Sequence, residues 1–233
     1  HPLLSVALAQ YTLELYEKCR YKVRWIEPQP QMVRLELDIS NSLPSPNVHQ
    51  VPPWSNNVHR ELNDAHFPVL DIVNEYELKL DGERVLLVPL QAFERFLVAC
   101  KPYTSSSSAV WFESNMTMVD SDRHLLETTI KSVASMFLQS NRPVYIIDES
   151  SWQSYIDHYL CEYGWGSFHV MMYDQKTLEF HASLIKGPLL PFTLGILCGM
   201  WERAHGRTYR VFLNEENDIF RVKIHSFLDY QNT

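Results

Sequence analysis

The chain of 233 residues is 45% hydrophobic, 21% charged and 12% aromatic, and its 20 Lys and Arg against 28 Asp and Glu leave a formal charge of −8. That length allows one large domain or two small ones around a real core, and only seven glycines exclude a collagen-like or linker-dominated chain. The acidic balance, with no two Lys or Arg adjacent, excludes nucleic acid as an expected partner, because a phosphate backbone requires a basic face.

Leu4, Ala7, Tyr11 and Leu15 recur at helical spacing and predict a first helix ending near Cys19. A hairpin is expected next: Tyr21, Val23 and Trp25 alternate with Lys22 and Arg24, and beyond Pro28 and Pro30 the residues Val33, Leu35, Leu37 and Ile39 alternate with Arg34, Glu36 and Asp38. Residues 41–68 carry Pro44, Pro46, Pro52, Pro53 and Pro68 among many Asn and Ser, and read as an extended proline-rich loop. Asp81-Gly82 is the strongest turn signal, since this pair tolerates the positive φ of a type I′ hairpin between strands over 76–80 and 83–88. Pro89 suits the first position of a short helix with Phe93, Phe96 and Leu97 on one side. Ser105 to Ser108 mark a flexible join before an aromatic strand at Val110 to Phe112, and a domain boundary is placed near residue 120.

Beyond that boundary Asp122 is expected to cap a helix whose Leu125, Leu126, Thr129, Ile130, Val133, Ala134 and Phe137 form an apolar stripe. Val144 to Ile147 reads as a short buried run. Ser150 with Gln153 has the spacing of a capping box, and Trp152, Tyr155, Ile156, Tyr159 and Leu160 mark the buried side of a helix closed by Gly164. Strands near 167–173 and 178–185 follow, then a helix opened by Pro191 with Gly206 past its end, then strands at 209–213 and 219–227. The expected class is α+β: an N-terminal domain, 1–120, of a helix with antiparallel hairpins, and a C-terminal domain, 121–233, of helix-helix-strand-strand-helix-strand-strand order.

The uncharged apolar stretch 187–201 is too short to span a bilayer and is interrupted by Pro188 and Pro191, so no membrane span is expected. Cys19, Cys100, Cys161 and Cys198 are scattered with no C-x-x-C pair, which points to reduced thiols in the cytoplasm rather than a zinc knuckle or a disulfide scaffold.

From Tyr163 onward the chain resembles the 4-vinyl reductase domain and, more distantly, the related subunits of the TRAPP vesicle-tethering complex. Tyr163-Gly164-Trp165-Gly166 precedes a strand, Gly195-x-x-Cys198-Gly199 lies on a helix with Glu202 and Gly206 following, and Glu215 lies between the closing strands. The resemblance implies a dimer around a central apolar pocket that takes an aromatic or lipidic ligand. It also implies a zinc near Cys198 and Glu215, but no cysteine follows Cys198, and Asp218 and Phe220 stand where further thiols belong, so no metal or cofactor is expected.

Candidate ligand-binding residues are Trp165, Phe168, Phe180, Phe192, Gly195, Cys198, Gly199 and Trp201, with Trp165 and Trp201 as pocket walls. The same aromatics serve an ordinary core equally well, and Gly195 and Gly199, four residues apart on one helix face, admit either a ligand or another backbone. A catalytic reading rests on His158 three residues before Cys161, without an orienting third group, and a metal reading on His169, His181 and Glu179 across adjacent strands; surface alternation accounts for the latter. No catalytic residues are therefore assigned. The expectation is a non-enzymatic regulatory or adaptor protein that binds a small apolar ligand or forms a homodimer. The alternative is a protein-interaction scaffold in which Pro52, Pro53 and Trp54 dock a protein partner, Trp54 being either an interface anchor or tucked onto the core.

Overall fold

A computed structural model describes residues 2–29, 32–43, 50–55, 70–74, 77–85, 87–105, 110–217 and 219–228. The fold is α+β, and the chain divides into two compact units, residues 1–49 and 50–233. Most of the proline-rich loop (44–49 and 56–69) and of the serine-rich join (106–109) lies outside the described residues, as does Asp218.

In the first unit helix α1 (Pro2–Glu17) is followed by an antiparallel hairpin of β1 (Tyr21–Gln29) and β2 (Met32–Ile39). Tyr21, Val23 and Trp25 stand opposite Ile39, Leu37 and Leu35, so the alternation seen in the sequence gathers one apolar face. Glu14 ties helix to hairpin: its carboxylate accepts from the Tyr21 N–H at 3.0 Å and pairs with Arg20 at 3.0 Å.

The second unit opens with a small sheet of β3 (Asp71–Asn74), β4 (Glu77–Leu80) and β5 (Glu83–Val85). Asp81 and Gly82 have φ of +52° and +80°, the pair of left-handed residues that a type I′ turn requires. Helix α2 (Leu90–Cys100) follows Pro89; it buries Leu97 and Glu94 but leaves Phe96 exposed, so the expected three-residue apolar side is narrower than the sequence implied.

A five-stranded sheet in the order β6-β9-β10-β8-β7 carries the core. Its strands are β6 (Phe112–Ser114), β7 (Phe168–Asp174), β8 (Glu179–Ile185), β9 (Tyr209–Glu216) and β10 (Ile219–Ser226). All neighbours are antiparallel except β6, which runs parallel to β9. This pairing brings residues 112–114 into one sheet with the C-terminal strands, inside the unit 50–233. Phe180, Ala182, Leu184, Val211, Leu213, Phe220, Val222 and Ile224 are buried on one face, in a single cluster with the helices, while Glu179, His181, Arg221 and Lys223 alternate onto the other.

From residue 120 the order is α3 (Asp120–Gln139), α4 (Glu149–Tyr159), β7, β8, α5 (Leu190–His205), β9, β10, as the apolar periodicity predicts. Three local expectations are corrected. Helix α3 starts before Asp122, whose carboxylate pairs with Lys101 instead of capping. The capping box of α4 is Asp148 with Ser151: the Ser151 N–H donates to Asp148 Oδ1 at 2.8 Å, and the Asp148 N–H donates to Ser151 Oγ at 3.0 Å. Freed from capping, the Gln153 side chain accepts from the Val170 N–H at 2.9 Å and donates to the Phe168 carbonyl at 3.2 Å, covering the outer edge of β7 as a paired strand would. In 144–147 only Val144 is buried; Tyr145 and Ile147 are exposed because the segment runs extended with alternate side chains outward.

Candidate functional site

Helix α3 packs closely against helix α5, and the two glycines of α5 set that closeness. A Cβ on Gly195 would fall 2.5 Å from the Val133 Cβ and 2.8 Å from the Ile130 carbonyl oxygen; one on Gly199 would fall 2.9 Å from the Phe137 Cβ and 3.0 Å from the Ala134 carbonyl oxygen. Of the two uses expected for these glycines, backbone approach is the one realised, and the neighbour is α3 of the same chain.

The aromatic residues expected as one pocket wall fall into two packed groups. Phe180, Trp201 and Trp152 are fully buried, with His205 partly buried beside them: Trp152 lies 4.5 Å from Phe180 and Trp201 lies 4.8 Å from His205, centroid to centroid. The Trp201 Nε1–H donates to the Leu178 carbonyl at 3.0 Å. Trp165 and Phe192, both partly buried, meet edge to face at 6.4 Å, and Phe192 meets Phe93 at 5.6 Å. Phe168 is opposite Leu184 on the edge strand, and Cys198 is a buried thiol raised well above its ordinary pKa by burial. Phe180 and Trp201 thus belong to the buried core cluster, with Trp165, Phe168 and Phe192 packed against it.

Trp54 is tucked onto the core. It is fully buried beside buried Pro52 and partly buried Pro53, and its carbonyl accepts from the Gly187 N–H at 3.2 Å while the neighbouring Ser55 donates to Glu94. A partner therefore meets no Trp54 side chain at the surface, and the interface-anchor alternative for this residue is corrected. The Cys161 thiol is pushed up to about 12 by burial and then by Asp157, so it is held protonated, and His158 pairs with Glu162 at 3.1 Å instead of facing it. His181 lies 2.9 Å from Glu179, which also binds Lys223, while His169 stands opposite Ser183; no group of three metal-ligating side chains gathers among the described residues.

One turn beyond Cys198 the α3–α5 seam opens into a cleft of about 520 Å³. Lys131, Ala134, Ser135 and Leu138 of α3 line it at helical i, i+3, i+4, i+7 spacing, Glu202 of α5 lies across from them, and Trp111, Thr208, Tyr209 and Phe227 close it from the sheet ends. Two backbone hydrogen bonds of 2.8 Å, Val211 N–H to the Trp111 carbonyl and Phe227 N–H to the Thr208 carbonyl, hold the sheet end in place. Arg203 donates to the Leu138 carbonyl and so ties the two helices at the opening. Trp111 and Tyr209 meet edge to face at 5.7 Å, and the Lys131 Nζ sits 4.8 Å above the Trp111 ring centroid. Burial raises the pKa of Tyr209, with Cys198 and Glu202 adding to it, and burial likewise raises that of Glu202. The volume lies in the range of small-molecule sites, and the lining combines apolar walls with a few polar groups, as such sites do.

Sequence reasoning placed Trp111 in an aromatic strand and Glu202 beside the glycine helix, but not in one site, because its walls come from segments about a hundred residues apart. The available signal was Glu202 itself, an acid on a helix otherwise apolar from Leu190 to Trp201. A smaller hollow of about 360 Å³ lies on the open sheet face among His181, Phe212, Asn214, Arg221 and Lys223. There Glu179 and Glu216 already neutralise Lys223 and Arg221. Among the described residues no helix is long and apolar enough to cross a membrane. Neither family models, nor curated proteins, nor solved structures match the chain.

Proposed function

We propose that the chain is a non-enzymatic regulatory or adaptor protein whose second unit binds a small, mainly apolar molecule in the cleft between α3 and α5. The observation that carries this reading is the cleft's construction: about 520 Å³ walled by Trp111, Tyr209, Leu138 and Phe227, with polar groups confined to a few positions. The element order from α3 to β10 supports kinship with the 4-vinyl reductase and TRAPP-subunit domains, with the ligand space displaced from the family's central pocket toward the end of α5. A reducing, cytoplasmic location accords with four free cysteines. A scaffold docking through Pro52, Pro53 and Trp54 is less well supported, because Trp54 is buried.

The test uses N-phenyl-1-naphthylamine, an uncharged dye that brightens in apolar surroundings. The wild-type chain should enhance its emission saturably, and Ser135→Trp, which fills the cleft from an exposed α3 position, should remove that enhancement with the melting temperature unchanged. Equal enhancement by both proteins would move the ligand elsewhere, and none by either would end the reading.

A further inference from the structure

We propose that the cleft selects an organic cation with an aromatic body, in its simplest form an arylalkylamine, whose ammonium group pairs with the Glu202 carboxylate while the body lies against Trp111, Tyr209 and Phe227. This rests on the reading of the cleft as a ligand site and adds the charge of the ligand. Glu202 lines the cleft, is partly buried, and forms no hydrogen bond or ion pair through its side chain with any described residue. An unpaired carboxylate among apolar walls is the group with most to gain from a counter-ion, because its desolvation is uncompensated.

The other charge at the cleft differs in each respect. Lys131 is exposed to solvent and already rests on the Trp111 ring, so an anion arriving there would gain only the small stabilisation of a surface pair. Its placement also demonstrates that the Trp111 face accepts a cation, the electrostatic preference on which aromatic recognition of ammonium ions depends. The chain's formal charge of −8 favours the approach of cations over anions.

Calorimetric titration of the full chain at pH 7 with three indoles of one shape and different charge tests this. Tryptamine should bind at least about tenfold more tightly than neutral 3-methylindole, and indole-3-acetate more weakly than either. Glu202→Gln should bring tryptamine down to the affinity of 3-methylindole and leave the latter unchanged, whereas Glu202→Asp should keep most of the preference; melting temperatures of both variants establish that they fold. Equal affinity for tryptamine and 3-methylindole, a preference for indole-3-acetate, or indifference of folded Glu202→Gln would overturn the assignment of charge while leaving the cleft a ligand site. No binding of any of the three would overturn both.

Discussion

Along helix α5, Gly195 and Gly199 bring the backbone against α3 with no room for a Cβ, whereas one turn further on Glu202 stands across an open cleft from the same helix. The two regions share their partner, since α3 presents Val133, Ala134 and Phe137 to the glycines and Lys131, Ala134, Ser135 and Leu138 to the cleft. What differs is side-chain size and charge on α5. Glycine leaves nothing to interpose, so the helices close; a partly buried carboxylate favours solvent or a counter-ion, so the seam stays open there. Interior and site are thus successive turns of one helix pair, and the contrast comes from three residues of α5.

The sharpest way to break this contrast is to give the closed end a side chain. Gly195→Ala places a methyl group 2.5 Å from the Val133 Cβ, and overpacking of this kind costs about 1–3 kcal/mol, offset by the roughly 1 kcal/mol that alanine gains over glycine in a helix. Gly199→Ala, whose nearest contact is 2.9 Å, should lose less. Urea midpoints at unchanged m-value would measure both. A gain of about 1 kcal/mol at position 195, the helix preference of alanine with no steric cost, would mean that the seam is not held by its glycines.

That comparison also marks where sequence reading succeeds. The helix spanning 190–205 was legible because local chemistry dictates it: Pro191 at the start, apolar residues at helical spacing, and Gly206 at the end with φ of +63°. Asp81-Gly82 was legible for the same reason. The cleft was not, because Trp111 reaches it only through the parallel pairing of β6 with β9, and parallel pairing between residues about a hundred apart leaves no local mark in the sequence. The capping box of α4 was misplaced by two residues because serine and aspartate side chains are both suited to capping, and only the geometry chooses: Asp148 accepts the backbone N–H, while the Ser150 hydroxyl donates to Asp148 at 2.9 Å.

A smaller, pH-dependent effect should come from His205, the last residue of α5. His205 is enclosed by Trp201, Trp152 and Tyr173, the last stacked on it at 5.8 Å, and its Nε2 is buried without a hydrogen-bond partner. Burial, then the charge of Arg207, lowers its pKa to about 4. The unfolded chain, with histidine near its ordinary value of about 6.5, binds this proton first, so the stabilisation is complete above that pH and is lost as pH falls toward 4. Denaturation midpoints taken between pH 7 and 4.5 should fall for the wild type and fall less for His205→Gln, and parallel curves would remove His205 from the account.

The smallest effect belongs to the open end and has the opposite sign. Burial raises the pKa of Glu202, so the folded state accommodates its protonated form and is burdened by its ionised one; the stability it allows is present at low pH and lost as pH rises through the folded value. Glu202→Gln should therefore stabilise the unliganded protein at pH 7 by under about 1 kcal/mol, given the solvent screening at a partly exposed group, and the gain should vanish toward pH 4. A loss of stability at pH 7 would mean that the carboxylate has a structural partner and is not held for a ligand. A gain would set the two ends of α5 apart by function: the glycines serve the fold, whereas Glu202 detracts from it, and a group that detracts from stability at the wall of an apolar cleft is accounted for by what it binds.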